Sequence, residues 1–482
     1  MVRTAPLERE KDMSVIRDRW VGVVLLAWSC LALAAAQPQG GYCEVARITP
    51  PDPNVLQLGL SLAMSGDTVV VGAPEAEIYG LSTGTAYVLR RDAGGPERWG
   101  IVARVLQPDP VPDEHFGWAV AIDGDTVAVG APFGTPPDRV LIYYRNQGGP
   151  EAWGLVTQLL VYSHDFGCSL SLSGDRLLVG RDEGALMFER NQGGPDHWGQ
   201  VAVFPNPGTT NNYYGWSVGL SGDTAVIGAF RDDTHGWLAG GAFVYRRDAG
   251  GPNCWGQVAE LRPDPPQNPD RFGRAVAIAG DTIVVGADQD AYMAAGTGYA
   301  SVYGRDQGGP ENWGLLARLT AEENRLPQDC FGAAVAVCGD LVAVGAPRWI
   351  GSGRGKLCLY SRNHGGSGQW GQLATFYGWV ALNGLFGSAV ATNGPQVLAS
   401  APTGAGAVFA HANDATIRAG DVNCDGRVDF GDINYFVLML SRGDQWRLRV
   451  PVCPYFNGDT NGDGAVNFGD INGFVAALSG SL

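Results

Sequence analysis

One pattern recurs seven times along the chain, and a chain that repeats itself at this spacing folds as a closed or stacked array of like units. The clearest copy runs from Phe116-Gly117 through Val120-Ala121-Ile122, Gly124-Asp125 and Thr126–Val129 to Gly130-Ala131-Pro132. Its opening dipeptide returns as Leu58-Gly59, Phe166-Gly167, Tyr214-Gly215, Phe272-Gly273, Phe331-Gly332 and Phe386-Gly387. Successive glycines of these dipeptides lie 58, 50, 48, 58, 59 and 55 residues apart.

Each copy reads as short strands. Val120–Ile122 and Thr126–Val129 are β-rich runs, and Gly124-Asp125 between them has hairpin-turn chemistry. Their near-continuous apolar character predicts strands covered on both faces. A third strand follows, as in Ala86–Leu89 or Ala242–Tyr245. Then comes a second signature, Gly94-Gly95-Pro96-Glu97-Arg98-Trp99-Gly100, echoed from Gly148, Gly193, Gly250, Gly308 and Gly365. A fourth strand, such as Val102–Val105, completes the unit. The 71 glycines among 482 residues fit so many tight turns. Four strands per unit of this length is the size of a propeller blade.

There are seven first hairpins but six Trp-Gly signatures. The missing fourth strand lies at the other end of the sequence, where Glu44–Ile48 matches Val102–Val105. It is expected to complete a seventh blade and hide the sheet edges. The repeats resemble the FG-GAP repeats of the integrin α-chain propeller, in the variant common in exported bacterial proteins. The resemblance covers about residues 42–411 and implies an all-β seven-bladed propeller. Many FG-GAP blades carry an Asp-rich calcium loop in the first hairpin. Here that position is a short Asp-Gly-Asp or Ser-Gly-Asp turn, with too few oxygens for calcium.

Residues 420–482, after a linker at 412–419, hold two segments that follow the EF-hand loop rule. Calcium takes hard oxygens around a sharp turn. The first loop offers Asp421, Asn423, Asp425, the Arg427 carbonyl, Asp429 and Asp432. The second offers Asp459, Asn461, Asp463, the Ala465 carbonyl, Asn467 and Asp470. Gly426 and Gly464 supply the turn. An Asp at position 12 and the absence of an entering helix resemble a type I dockerin, which implies two Ca2+ ions and a cohesin-like protein partner. The exiting helices are read from Ile433, Phe436, Val437, Leu440 and from Ile471, Phe474, Val475, Leu478, whose i, i+3, i+4, i+7 spacing predicts a shared core. So small a module depends on its metal to fold. Cys424 and Cys453 are candidates for a disulfide. Loop positions 10 and 11, which help choose the partner in dockerins, are here Phe430-Gly431 and Phe468-Gly469.

The N-terminus reads as an export signal, 1–36, with Arg17 and Arg19 before an apolar run from Val21 to Leu33 and Ala34–Ala36 after it. Met13 is an alternative start. Removal of 1–36 leaves 28 basic and 45 acidic residues, a net charge of −17. Such a surface argues against nucleic acid or anionic membrane as partner. It also leaves Cys43, Cys168, Cys254, Cys330, Cys338, Cys358, Cys424 and Cys453, none spaced as CxxC.

Several motifs carry less than they promise. Gly215-Trp216-Ser217-Val218-Gly219 fits a nucleophile elbow, but Ser217 stands where the other repeats have ordinary strand. Arg442-Gly443-Asp444 spells an adhesion tripeptide after the first module helix. The six histidines are scattered. Trp99, Trp153, Trp198, Trp255, Trp313 and Trp370 recur once per blade, as packing residues do. The expectation is therefore an exported, non-catalytic binding or adhesion propeller, tethered to a surface or complex by a calcium module. The alternative is a polysaccharide-degrading component, which needs a carboxylate pair flanking a sugar site.

Overall fold

The computed structural model describes residues 42–413 except 53, 79, 94–98, 135–136, 209–210, 266–268, 290–295, 322–328, 348–354 and 379–384. Beyond these it describes 420, 422, 428, 430–441 and 468–478. The proposed signal and residues 414–419 of the linker lie outside the described residues, whereas Ala412 and Asn413, read from sequence as linker, continue the third strand of blade 7 because they pair with the N-terminal strand. The molecule divides into two compact units, one formed by 38–417 and the other built mainly on 418–482.

Among the described residues the first unit holds seven four-stranded antiparallel sheets and one two-stranded ribbon, Glu77–Ile78 with Leu81–Ser82. Blade 1 is Leu62–Ser65, Thr68–Ala73, Thr85–Arg90 and Gly100–Val105. Blade 2 is Val120–Asp123, Thr126–Ala131, Asp138–Arg145 and Trp153–Val161. Blades 3 to 6 repeat this order from Ser169, Tyr214, Phe272 and Ala334. Blade 7 takes three strands from Val390–Thr392, Gln396–Ala401 and Ala407–Asn413. Its outer strand is Tyr42–Ile48, paired antiparallel with 407–413 so that Glu44 faces His411 and Ile48 faces Val408. Each blade's first strand packs on that of the next, and Val390–Thr392 packs on Leu62–Ser65, which closes the ring.

Burial differs between strands in a way that the apolar pattern hides. In six blades the second strand is buried end to end, as in Thr68–Ala73 and Thr282–Ala287, and in blade 3 it is buried except at Arg176 and Arg181. The first strands, read from sequence as covered on both faces, are mostly half-buried, as in Leu62–Ser65 and Ser169–Ser173. A sheet stacked between neighbours covers its middle strands, whereas the innermost strand faces the ring axis.

The two halves of the repeat signature meet across blades. The carbonyl oxygen of Gly117 lies 1.9 Å from where a Cβ on Gly72 would stand; for Gly286 and the Gly332 carbonyl the distance is again 1.9 Å, and for Gly345 and Gly387 it is 2.0 Å. The Phe-Gly glycine of one blade thus presses its carbonyl on the Gly-Ala-Pro glycine of the blade before. Only a residue without Cβ permits that approach. In blade 7 the position is Ser400, and it is Gly59 of blade 1 that must lack a side chain, since its Cβ would lie 2.7 Å from Ser400 Cβ.

The Gly-Asp turns form a second ring. The Ser65 hydroxyl accepts from the Gly124 amide (3.0 Å), Asp123 from Gly174 (2.6 Å), Ser173 from Gly222 (3.0 Å) and Ser221 from Gly280 (3.0 Å). Asn393 Nδ2 donates to the Gly66 carbonyl at 2.9 Å, joining blade 7 to blade 1. Turn aspartates, among them Asp67, Asp175 and Asp340, face an arginine at the end of their blade's third strand, at 2.9–3.8 Å over six pairs. These pairs are exposed and worth less than about 1 kcal/mol each. They nevertheless give the turn carboxylates a cation from within the blade.

Blade 7 carries a buried titratable group. His411 is 2% exposed and lies on Phe376 (4.1 Å between ring centres) and Phe386 (6.2 Å). Burial pushes its pKa down to about 3. An unfolded histidine titrates near 6.5, so the neutral ring's contribution is complete above that pH. It is lost as pH falls from 6.5 toward 3, at about 1.4 kcal/mol per pH unit. Asp138 acts in the opposite sense: burial raises its carboxyl to about 6, so its contribution improves as pH falls from 6 toward 4. Calorimetry at pH 7 and 4.5 is expected to show a melting temperature that falls less in His411→Gln than in wild type. An equal fall in both would refute this assignment.

Candidate functional site

The Phe-Gly dipeptides build one face of the propeller. In every blade the residue before the dipeptide has φ between 50° and 59°: Gln57, His115, Asp165, Tyr213, Arg271, Cys330 and Leu385. The glycine has φ of 89° to 99°. The carbonyl of the residue before the dipeptide accepts from the amide of the residue after it at 2.9–3.2 Å, as in Trp118 to His115 and Arg274 to Arg271. This is a type II turn with glycine at the position that demands positive φ. A left-handed non-glycine residue beside it costs about 1 kcal/mol, and the cost recurs in all seven blades. The backbone is thus constant while the residue at its edge differs from blade to blade.

Four adjoining blades show what the differences produce. In blade 2, His115, Trp118 and Phe133 pack edge to face at 4.6–6.2 Å between ring centres, with His115 Nε2 3.0 Å from Glu75 Oε1. Near the same level, where blade 2 meets blade 3, Asp138 of blade 2 accepts from the Phe166 amide at 3.1 Å, and Asp165 and Asp182 interact electrostatically; burial is the main reason both Asp138 and Asp165 are raised. Blades 4 and 5 bring together Tyr213, Trp216 and Phe230 at 5.0–5.7 Å with three arginines around them. The Arg231 guanidinium lies 4.7 Å from the Tyr213 ring centre, Arg271 5.0 Å from Phe230, and Arg274 5.1 Å from Trp216. Asp288 approaches Arg271 at 3.4 Å and Arg274 at 3.6 Å. Sequence reasoning missed this group because its members lie in two blades, forty or more residues apart. The signal open to it was the position flanking Phe-Gly, where the repeats diverge.

A cavity of about 350 Å³ is lined by Asp52, Asn54, Glu77, Ile78, Gly80, Arg104 and Leu106. Arg104 is engaged there, with Nε 3.3 Å from Thr85 Oγ1 and its guanidinium over Tyr87 at 5.7 Å.

The residues set aside from sequence have structural employment. Ser217 Oγ donates to the Gly273 carbonyl at 2.8 Å, just as Ser61 and Ser169 donate to Gly117 and Gly215. Trp99, Trp153, Trp198 and Trp313 are buried between blades, and Trp255 and Trp370 pack half-buried. Cys168, Cys254, Cys330, Cys338 and Cys358 are free thiols; burial lifts Cys168 to about 12 and Cys358 to about 11, so neither is a thiolate at neutral pH. Cys424, Cys453 and Arg442–Asp444 lie outside the described residues.

In the C-terminal unit two helices are described, α1 (Ile433–Ser441) and α2 (Ile471–Leu478). Phe436 and Phe474 stack at 4.0 Å with 10° between planes, and both are buried, with Met439. The shared core is narrower than the stripes implied. Val437, Val475 and Ile471 are 56%, 57% and 40% exposed. The stacked rings bring the helices together along one line, and side chains a further turn round the helix fall outside it.

Of the twelve candidate calcium positions, Asp432 and Asp470 are described. Both are fully buried beside the start of a helix, and Asp432 Oδ1 accepts from the Val422 amide at 2.8 Å. Asp421, Asn423, Asp425, Arg427, Asp429, Asp459, Asn461, Asp463, Ala465 and Asn467 lie outside the described residues. Among the described residues, no cluster of three or more His, Cys, Asp or Glu is arranged for a metal, and no helix is long and apolar enough to cross a membrane.

The FG-GAP repeat model matches the sequence at 42–89, 99–139, 198–245 and 255–303. Each match begins in or just before an outer strand and ends in, or at the start of, the third strand of the following blade. The repeating sequence unit is therefore offset by one strand from the blade, and Tyr42–Ile48 is the strand left over. No curated protein matches. Among solved structures, one from Lactobacillus plantarum, described only as a protein from that organism, is 14% identical. That match covers 66% of this protein and 84% of the other, with a TM-score of 0.45. The protein is thus similar to FG-GAP repeats over four of its segments, and its described residues fold as a seven-bladed β-propeller.

Proposed function

We propose that this protein is an exported, non-catalytic binding propeller, held to a surface or protein complex by a calcium-dependent C-terminal module. The observation that carries the first half is the face just described. Seven identical type II turns hold seven different side chains at one level, from Asp165 to Arg271. A rigid frame with variable edges suits recognition. The second half is supported by Asp432 and Asp470, the twelfth residues of the two calcium loops, both fully buried carboxylates at corresponding places. Carboxylates are seldom buried without a cation or strong donors. Asp421, Asn423, Asp425, the Arg427 carbonyl, Asp429 and Asp432 would hold one ion, and their counterparts from Asp459 to Asp470 the other.

The test is a pull-down from the producing organism's secretome and envelope with mature protein, in millimolar calcium and then in EDTA. The expected result is a protein partner retained in calcium and released by EDTA, with calorimetry reporting about two ions per molecule. Calcium binding without a retained partner would reduce the module to a stabilising or sorting tail. Neither ions nor partner would overturn the tethering reading.

A second reading, in polysaccharide breakdown, draws on Asp52 and Glu77 lining one cavity. Release of reducing sugar from plant or algal polysaccharides, lost in Glu77→Gln, would favour it over binding.

A further inference from the structure

We propose that the cavity beside the ribbon of blade 1 is a binding site for a neutral sugar residue of a glycan. This rests on the binding-propeller reading and names a ligand class for it.

The walls come from three places. Asp52 and Asn54 belong to the link between the N-terminal strand and blade 1, Glu77 and Gly80 to the two-stranded ribbon, and Arg104 to the outer strand, with Leu106 just beyond it. The Glu77 amide donates to the Asn54 carbonyl at 3.0 Å, which fastens ribbon to link. The ribbon stands between the second and third strands of blade 1. The other blades stack in the ring with no such ribbon among their described residues. Ring closure therefore does not call for it.

The polar groups of the cavity are accessible and mixed in sign. Asn54, Glu77, Arg104 and Leu106 are exposed, and Asp52 is half-buried. Asp52 Oδ1 accepts from the Asn54 amide at 2.9 Å, and Arg104 Nε donates to Thr85 Oγ1 at 3.3 Å. These bonds hold both side chains and leave Asp52 Oδ2 and the terminal nitrogens of Arg104 for other contacts. Among the described residues, no ion pair joins Arg104 to Asp52 or to Glu77. The two signs are nonetheless close. Burial is the main reason the Tyr87 pKa is raised, and Arg104 and Asp52 then pull it in opposite directions. Opposite charges thus border one space of about 350 Å³ without closing on each other.

That arrangement sorts ligands by their chemistry. A simple cation is repelled by Arg104, and a simple anion by Asp52 and Glu77. A hydroxyl both donates and accepts, so neighbouring hydroxyls of one sugar ring serve carboxylate and guanidinium together. Hydrogen bonds with one charged partner are roughly twice as strong as neutral ones, and an uncharged ligand brings no ion to be stripped of water. Leu106, 38% exposed, offers an apolar surface to the C–H groups of the ring. The cavity is at the small end of ligand sites, which run from about 300 to 1,000 Å³. That size suits a short stretch of glycan, and the exposed rim lets the chain continue outward.

The experiment titrates the full-length protein calorimetrically with cello-, xylo-, manno- and malto-oligosaccharides. Glycine and calcium chloride serve as zwitterionic and cationic probes. At least one oligosaccharide is expected to bind. Glu77→Gln, on the exposed ribbon, is expected to weaken that binding at least tenfold, and Asn54→Ala several-fold, both with unchanged melting temperature. Arg145→Gln, on the turn face, is expected to leave it unchanged. Sugar bound equally by wild type, Glu77→Gln and Asn54→Ala would overturn this site while leaving a binding propeller standing. Glycine or calcium binding that Glu77→Gln removes, with no sugar bound, would overturn the sugar as the ligand. Release of reducing sugar that Glu77→Gln abolishes would overturn a binding role in favour of catalysis. No sugar bound, while the pull-down still retains a partner, would overturn the sugar site alone; no sugar and no partner would overturn both the site and the reading beneath it.

Discussion

Gly286→Ala is expected to destabilise the propeller at or beyond the ~3 kcal/mol upper end of ordinary overpacking, while Gly280→Ala in the same hairpin costs only about 1 kcal/mol. The two glycines look alike in sequence. Gly280 occupies the hairpin turn at φ 54°, and a Cβ there meets nothing within 4 Å, so its cost is conformational. Gly286 sits in a buried second strand, and its Cβ would stand 1.9 Å from the Gly332 carbonyl oxygen, with the Gly332 carbonyl carbon at 2.9 Å. Backbone does not rotate away as a flexible side group does, so blades 5 and 6 must separate. Urea midpoints of the two variants decide the matter. Equal losses would mean that the inter-blade contact tolerates movement and that the glycine is there for its dihedrals alone.

Removing the residues before Pro50 is expected to have the larger effect of all. It takes away Tyr42–Ile48, the outer strand of blade 7, and bares the edge of 407–413. It also removes Ile48, 7% exposed in the core beneath blades 7 and 1, and the Arg47 guanidinium 5.1 Å from the Phe409 ring. Burial of Ile48 alone is worth about 2–5 kcal/mol judged by Ile-to-Ala substitutions. An unpaired strand edge is also a template for association. The shortened protein should elute as aggregate in size-exclusion chromatography and lose its sharp melting transition. A synthetic peptide spanning 42–48 should restore part of the monomer. A shortened protein that stays monomeric with an unchanged melting temperature would show that blade 7 closes the ring without its fourth strand.

The repeat made the architecture legible. The count of seven Phe-Gly against six Trp-Gly signatures placed the spare strand at the N-terminus, because a fourth strand of like sequence had to lie somewhere. Turn chemistry was legible too. Gly-Asp between β-rich runs reports a tight hairpin, and the positions of Gly66, Gly124 and Gly222 bear it out. These are local matters, set by dihedral preference and by alternation along a few residues.

Tertiary structure decided what those residues are for. That Gly72 exists for the carbonyl of Gly117, and that Ser65 caps the next blade's turn, depends on which segments the ring brings face to face. The first strands are half-buried because they line an axis, a property of the closed ring that no single strand encodes. The module helices show the same limit. Their apolar spacing named Phe436 and Phe474 correctly, but it also enrolled Val437 and Val475, which the line of ring stacking leaves outside. The arginine group was invisible for the plainest reason: Arg231 and Arg274 are neighbours only after blades 4 and 5 have stacked. Sequence by itself determined the unit, its number and its turns, because these rest on short-range preference repeated seven times. The closed ring alone decided which residues share a face, because charge and contact act through space.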